Sequence, residues 1–413
     1  MLGRQPALGM AELERTFGDV TWFTDSAACV MADSFDVTRL GGTLKAGVVT
    51  GELSGDWRRA SEHIVKYYSN KWGNFEGKLT LGISAYGFKV QTRDIQKTGV
   101  ILKQRLRAKK VSMRLIPNVD AAHNTATSHH NKLGLAPNKV ELLIVRNKSG
   151  KVIIAESVGA QNITALAARD QGRPKRDAFV GMLPPKLAQT MVNLALSASG
   201  SRNLSPAELP PSTAPAVTSE AGETVPKTGN HSDITILDPF CGTGVILQEA
   251  ALLGYNVYGT DLADKMVDYS KVNMDWLSTK YNTSRTYKIE VGDAMDTKWQ
   301  QPIDAVVCEG YLGQPFSAPP SPAKLTEVRG NCDHIMGKFL TNIGAQLKSG
   351  TPLCVAIPAW RSTDGSFTHL PLVDNLAKLG YKQIELKNVR TAELLYYRED
   401  QVVARELLIL EKI

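Results

Sequence analysis

Three aspartates stand where strand-like runs end: Asp238 after "ITIL", Asp261 after "NVYGT" and Asp293 after "YKIEVG". The first opens a tight loop, "DPFCGTG", that carries Gly242 and Gly244. Glycines at such a point let backbone approach a ligand closely, at the carboxyl ends of the strands of an open sheet. The pattern is D-x-F-x-G-x-G, not the G-x-G-x-x-G of a pyrophosphate loop, and a carboxylate at Asp238 repels phosphate. A cationic amino group suits it instead. Asp261 can accept hydrogen bonds from two ribose hydroxyls, and Asp293 can meet an adenine amino group. Amino acid, ribose and adenine, read in that order, compose S-adenosylmethionine. Phe240, Thr243, Leu262 and Ala294 flank these residues and complete the expected cofactor contacts. One acid at a strand end is an ordinary turn former; three at consecutive strand ends, beside "CGTG", carry the reading.

The elements that must hold these residues alternate along the chain. "ITILD" has a buried-strand pattern, and "VILQEAALLG" has helical spacing and ends at Gly254, a C-cap residue. "NVYGTD", "KMVDYSKVNMDWL", "YKIEVGD", "PIDAVVCEG", "CDHIMGKFLTNIGAQL" and "TPLCVAIP" continue the series. Such alternation argues for a parallel sheet covered on both faces. "KQIELKNV" and "RELLILEK" read as an antiparallel pair at the sheet edge. Upstream of the first strand, Leu196 to Asp233 is rich in Ser, Pro, Thr, Ala and Gly and should be a disordered insertion, over 197–232, inside one domain.

Composition sets outer limits. With 413 residues the chain has room for two or three domains, and a net charge of +7 is weak evidence for a polyanionic partner. Five scattered cysteines without a CxxC pair argue against a disulfide framework or a metal site. No apolar run approaches the ~20 residues of a membrane span, and the N-terminus does not read as a signal peptide. A cytoplasmic protein without a membrane partner is expected.

"LDPFCGTGVILQEA…VYGTDL…MV…N" resembles the methyltransferase domain of the THUMP-domain RNA guanosine N2-methyltransferases, above all the archaeal and eukaryotic tRNA enzymes acting on guanosine 10. "RDQGRPKRDAFVGMLPPKLAQTMVNLA" is similar to the segment that joins THUMP to catalytic domain in that family, and "LGRQPALGMAELE" to its N-terminal ferredoxin-like region. The resemblance implies a class I Rossmann-like α/β methyltransferase fold, a seven-stranded mostly parallel sheet with an antiparallel last strand, preceded by an α+β ferredoxin-like/THUMP RNA-binding module. It implies a ferredoxin-like region over 1–60, a THUMP-like domain over 61–165, a linker over 166–184 and the catalytic domain over 185–413. The implied substrate is tRNA, methylated on an exocyclic guanosine N2.

Amine-methylating relatives carry an acid or amide, two prolines and an aromatic residue after the fourth strand. Here the stretch is "CEGYLG": Glu309 at the acid position, Gly310 and Tyr311 in place of the prolines, and Leu312 where the aromatic would be. Glu309 can accept from an amine, and Tyr311 offers a ring one place early. The altered loop leaves open a different target base, or a domain that binds cofactor and RNA without turnover. A methyltransferase acting on DNA or a protein amide leaves the THUMP-like region unexplained.

Arg93 to Ile116 reads as a basic amphipathic helix with its apolar side broken at Gly99. Its Lys103, Arg105, Arg107, Lys109 and Lys110 are the expected phosphate contacts. Arg173 and Arg176, in the linker, are expected to touch the acceptor stem, by analogy with the family. His123, His129 and His130 read as loop residues near RNA, with no fourth donor for a metal. The eukaryotic relatives need a partner, so a small activator subunit is implied; otherwise a monomer is expected.

Overall fold

The computed structural model describes residues 1–177, 183–196 and 231–413. They form two units, each made of non-contiguous segments. The first comprises Met1–Pro6, Thr21–Thr38 and Thr43–Ile163. After the helix α1 (Pro6–Phe17), most of which belongs to the second unit, come the hairpin strands β1 (Val20–Thr24) and β2 (Ala27–Val30). Then follow β3 (Lys45–Ser54), α2 (Trp57–Lys71), β4 (Lys78–Tyr86), α3 (Thr92–Ala108), β5 (Ser112–Leu115), α4 (Thr125–His130), β6 (Lys139–Arg146) and β7 (Lys151–Ala160). Five of these strands make a sheet in the order β3-β7-β6-β4-β5. β4 runs parallel to β5 and β6, and β7 antiparallel to β6 and β3.

Helical spacing explains how α3 packs. Ile95, Leu102 and Leu106 are buried together with Ile64 and Tyr68 of α2 and Leu79 and Leu81 of β4. Gly99 does not break the apolar side: it is buried, and a Cβ there would stand 2.6 Å from Leu115 Cδ1, so the glycine leaves room for that side chain of β5. The basic run is not one helix. It stops at Ala108; Lys109 caps it, Lys110 takes a left-handed φ of 65°, and Ser112 starts β5. Elsewhere in the unit, Lys45 Nζ and Glu141 Oε1 form a buried ion pair at 2.5 Å, joined by Ser84 Oγ and the His123 carbonyl.

The second unit comprises Ala7–Val20, Arg39–Gly42 and Thr164–Ile413. Its further elements are α5 (Ile163–Gln171), α6 (Pro185–Ala195), β8 (His231–Asp238), α7 (Val245–Leu253), β9 (Tyr255–Asp261), α8 (Asp264–Tyr281), β10 (Tyr287–Val291), β11 (Ala305–Glu309), α9 (Pro322–Gly344), β12 (Pro352–Arg361), β13 (Phe367–Thr368), β14 (Tyr381–Gln383), β15 (Leu395–Tyr396) and β16 (Val403–Lys412). The sheet order is β10-β9-β8-β11-β12-β16-β14, with β13 paired to β12 and β15 to β16. β10, β9, β8, β11 and β12 pair in parallel, and β16 runs antiparallel to both its neighbours. The main path has the seven strands that the resemblance implies, β13 and β15 bring the sheet to nine, and β8 stands at the switch point where the strand order reverses.

α1 is tied into this unit by two charged side chains. Glu12, fully buried, accepts from Gly41 N at 2.9 Å, Gly42 N at 2.7 Å and Asn193 Nδ2 at 2.7 Å. Arg15 donates to the carbonyls of Leu194 (2.8 Å) and Ala195 (2.9 Å), capping the C-terminus of α6. The ferredoxin-like region expected over 1–60 is therefore divided between the two units.

Three element boundaries differ from those the sequence suggests. α9 begins at Pro322, ten residues before "CDHIMG", because Ser321 is its N-cap and Pro322 its first residue. "KQIELKNV" supplies only the three-residue β14, which is the edge strand, while β16 lies inside the sheet. The insertion expected over 197–232 falls outside the described residues except for its last two, which open β8. Among the described residues no helix is long and apolar enough to cross a membrane.

Candidate active site

Strand register decides which side chains meet, because residues paired across a sheet share a face and every second residue returns to it. Asp238 lies opposite Gly259, which puts Asp261 on the same face. Ala305 lies opposite Ile236, so Glu309 shares the face of Asp238. Glu309 lies opposite Ala356 and Ala356 opposite Leu407, which brings Arg405 there as well. Asp293 follows β10 directly, where Gly292 N donates to the Asp261 carbonyl at 3.0 Å. The acids of four adjacent strands thus gather at the carboxyl edge of the sheet.

The loop after β8 is held by these acids and by α8. Asp238 Oδ1 accepts from Phe240 N at 3.1 Å, and Asp261 accepts from Gly242 N (2.9 Å) and Ala263 N (3.0 Å). Gly242 and Gly244 have φ of 51° and 80°, which only glycine adopts without strain. A Cβ on Gly244 would also press on Ser270 Oγ, at 2.9 Å. Ser270 donates to the Gly242 carbonyl at 2.8 Å. Asn273, fully buried on α8, donates to the Thr243 carbonyl (2.8 Å) and to the Lys175 carbonyl (2.9 Å), while its Oδ1 accepts from Lys175 N (2.9 Å). One amide so clamps the loop to the segment before α6. Phe240 packs edge-on against Phe339 of α9, and Ala294 is buried. Leu262 is 71% exposed at the end of β9, an apolar side chain open to a flat ligand. Asp293 Oδ1 accepts from Met295 N at 2.9 Å.

Asp238 is 1% exposed, and burial, with Asp261 and Glu309 adding negative charge, holds its carboxyl well above the usual range. A cationic ligand group is what this carboxylate lacks, so the residues present fit an amino-acid ammonium. Among the described residues, no group of three or more His, Cys, Asp or Glu is arranged to hold a metal ion.

The "EGYLG" loop is shaped by α9. Gly310 N donates to the Ala356 carbonyl at 2.9 Å, and a Cβ on Gly310 would collide with Met336 Sδ. Gly313 has φ of 78°, and a Cβ there would lie 2.8 Å from Val328 Cγ1. Tyr311 is 42% exposed, free to offer its ring, and Leu312 is half-buried. Glu309 is ion-paired with Arg405 of β16, both side chains largely buried. Sequence reasoning missed Arg405. A lone arginine in a strand whose partner lies 96 residues earlier leaves no local signal.

The basic residues divide. Lys103, Arg105, Arg107 and Lys110 are exposed in the first unit. Lys109 turns its ammonium onto the Ser69 carbonyl at 3.0 Å. Arg176 is exposed, but Arg173 is only 3% exposed with its guanidinium shut from solvent, so it does not present a surface to RNA. His123 is buried as well, while His129 and His130 lie on α4.

Sheet order, the antiparallel β16 and the acid-ended strands define a class I methyltransferase fold. Residues 230–399 match the family model of a methyltransferase domain. Over 191 residues, 46% of this chain, the sequence is 27% identical to a tRNA (guanine(10)-N2)-dimethyltransferase of Methanothermobacter thermautotrophicus, covering 43% of that protein. A shorter stretch of 83 residues, 20% of this chain and 21% of the relative, is 39% identical to the tRNA (guanine(10)-N2)-dimethyltransferase of Pyrococcus abyssi. The chain therefore spans less than half the length of the curated relatives it matches. Among solved structures, TrmN from Thermus thermophilus is similar over 99% of this chain and 97% of that one, with a TM-score of 0.50 and 16% identity, a likeness of fold.

Proposed function

We propose that this chain is an S-adenosylmethionine-dependent methyltransferase that modifies the exocyclic N2 of a guanosine in tRNA, at a site like position 10. The observation that carries the reading is the gathering of Asp238, Asp261 and Asp293 beside Glu309 on one face of the sheet edge. The names of the two curated relatives support the choice of tRNA guanosine as substrate.

The cofactor, when bound, supplies an electrophilic methyl group on a sulfonium. Asp238 would hold its ammonium, Asp261 its ribose hydroxyls and Asp293 its adenine amine. Tyr311 would stack on the target base, turned out of its own stack to reach the site. Glu309 would accept one N–H of the guanine amine and so aim the nitrogen lone pair, which is otherwise delocalised into the ring. Held in this way, the amine nitrogen would be placed to receive the methyl group that the cofactor supplies and would give up a proton on accepting it. Positioning and desolvation carry most of such an effect. The close packing of Gly310 on Met336 and the left-handed Gly313 support a loop built for a defined shape, which favours catalysis over a decayed site.

In the first unit, a THUMP-like module, the exposed Lys103, Arg105, Arg107 and Lys110 would grip RNA phosphates, consistent with recognition of RNA helices by shape and backbone. We read the chain as a monomer acting in the cytoplasm, with a small activator subunit as the partner to test for. Purified protein incubated with unmodified tRNA transcripts and labelled S-adenosylmethionine should yield N2-methylguanosine on nucleoside mass spectrometry. A different methylated nucleoside would move the target, and cofactor binding without any transfer, even with cell extract added, would sink the enzymatic reading.

A further inference from the structure

Among the described residues, Asp238, Asp261 and Asp293 each accept a backbone N–H from their own loop, whereas the Glu309 carboxylate is bonded from a distant strand. Glu309 ends β11, and the next residues turn away: Gly310 N is bonded to Ala356, and Tyr311 faces solvent. A glutamate has one more rotatable bond than an aspartate in the same place, so its carboxylate sweeps a wider arc and loses more entropy when fixed. Among the described residues, this carboxylate takes its hydrogen bond from Arg405 Nε, which meets Oε1. Arg405 is set by the sheet: it lies opposite Pro358 of β12 and Tyr396 of β15, on a strand flanked on both sides. The side chains of Arg405 and Glu309 are 12% and 17% exposed.

A buried ion pair is weak evidence for added stability, since desolvation offsets much of the attraction. Its geometric effect is firmer. The guanidinium is planar and always charged, and it fixes the oxygen it meets. With Oε1 held, Oε2 is the oxygen left to accept from a ligand, on a residue that shares its face of the sheet with Asp238 and Asp261.

We propose that Arg405 is a positioning residue for methyl transfer: by holding Glu309 through one carboxylate oxygen, it directs the other at the exocyclic amine of the target base. It replaces, from the antiparallel strand β16, the directional restraint that a shorter acid in a proline-rich loop would have from its own backbone. The proposal rests on the reading of the chain as an amine methyltransferase.

The test is a double-mutant cycle with steady-state kinetics on tRNA: wild type, R405Q, R405K, E309Q and E309Q/R405Q. R405Q should lower kcat by roughly 10- to 100-fold, with KM for S-adenosylmethionine within about threefold of wild type, because the interaction acts on the reacting amine and not on the cofactor. R405K should recover part of that loss. The double variant should be no slower than E309Q, since Arg405 acts through Glu309. A kcat for R405Q within about twofold of wild type, or losses that multiply in the double variant, would overturn the proposal. If R405Q does not fold, R405K decides: kcat lowered several-fold at unchanged KM supports positioning, and wild-type kinetics show a structural role only. Wild-type protein that transfers no methyl to guanosine overturns both this proposal and the reading beneath it, whereas wild-type transfer with an indifferent Arg405 overturns this proposal alone.

Discussion

Asp238 combines a buried carboxyl with a proposed role that requires charge. Burial raises its titration in the folded chain above that in the unfolded chain, so the folded state binds the proton more tightly. Its contribution to stability is therefore complete at low pH and is lost as pH rises through the folded titration. On the proposed role, cofactor binding would have the opposite slope, because the ammonium would pair with the carboxylate. Thermal melts with and without S-adenosylmethionine, taken across about pH 5 to 8, should show a cofactor-induced shift that grows with pH. Asp238→Asn should flatten that growth and weaken binding by about tenfold or more, read by calorimetry. The placement of Asp238 and Asp261 at strand ends, and of Asp293 just after one, was legible in sequence because each closes a strand pattern. Asn273 and Arg405 were not: their partners are 98 and 96 residues distant, and nothing in the local pattern distinguishes them from ordinary polar positions.

Among the elements, α1 has the most leverage for its length. Glu12 is pushed up to about 7 by burial, against the N–H groups of Gly41, Gly42 and Asn193. Its stabilising contribution is full below the unfolded carboxyl range and is lost as pH rises through about 7. Melting temperatures of wild type should fall more steeply than those of Glu12→Gln between about pH 6 and 8, whatever the offset between the two proteins. Arg15→Ala should cost about 1–3 kcal/mol in denaturant unfolding, by stripping donors from two carbonyls at the end of α6. Elements with strong periodicity, such as β8, α7 and β9, were readable, and Gly254 does cap α7 with a φ of 104°. The start of α9 was missed because its signal is a Ser-Pro pair hidden in a proline-rich run. β14 was overread because an edge strand needs only the rungs its neighbour supplies, here three residues against β16.

At the level of the whole molecule, charge and chemistry fall in different units. The basic surface of α3 belongs to the first, and the acids belong to the second. Replacing Lys103, Arg105, Arg107 and Lys110 together by Gln should weaken tRNA binding and lower the slope of log affinity against log salt by about 0.7 to 0.9 for each phosphate no longer neutralised. Cofactor affinity should not change; a matched fall in both would argue against separate roles. Of the basic residues singled out by sequence, Arg173 is buried and Lys109, though exposed, is tied to the Ser69 carbonyl, because composition shows how many cations a segment has but not where each one points.

The split origin of the second unit has a consequence for how the chain is made. α1 is made before the rest of the second unit, and the carbonyls that Arg15 caps lie 179 and 180 positions later. At roughly 5–20 residues per second, the helix waits on the order of ten to forty seconds for that partner, while the whole of the first unit is synthesised. During this interval its buried side chains, Leu8, Met10 and Leu13 among them, have only the short Arg39–Gly42 segment of the second unit for company. Nascent chains released early would therefore present a largely uncovered α1 although the first unit is already complete, a natural handle for a chaperone.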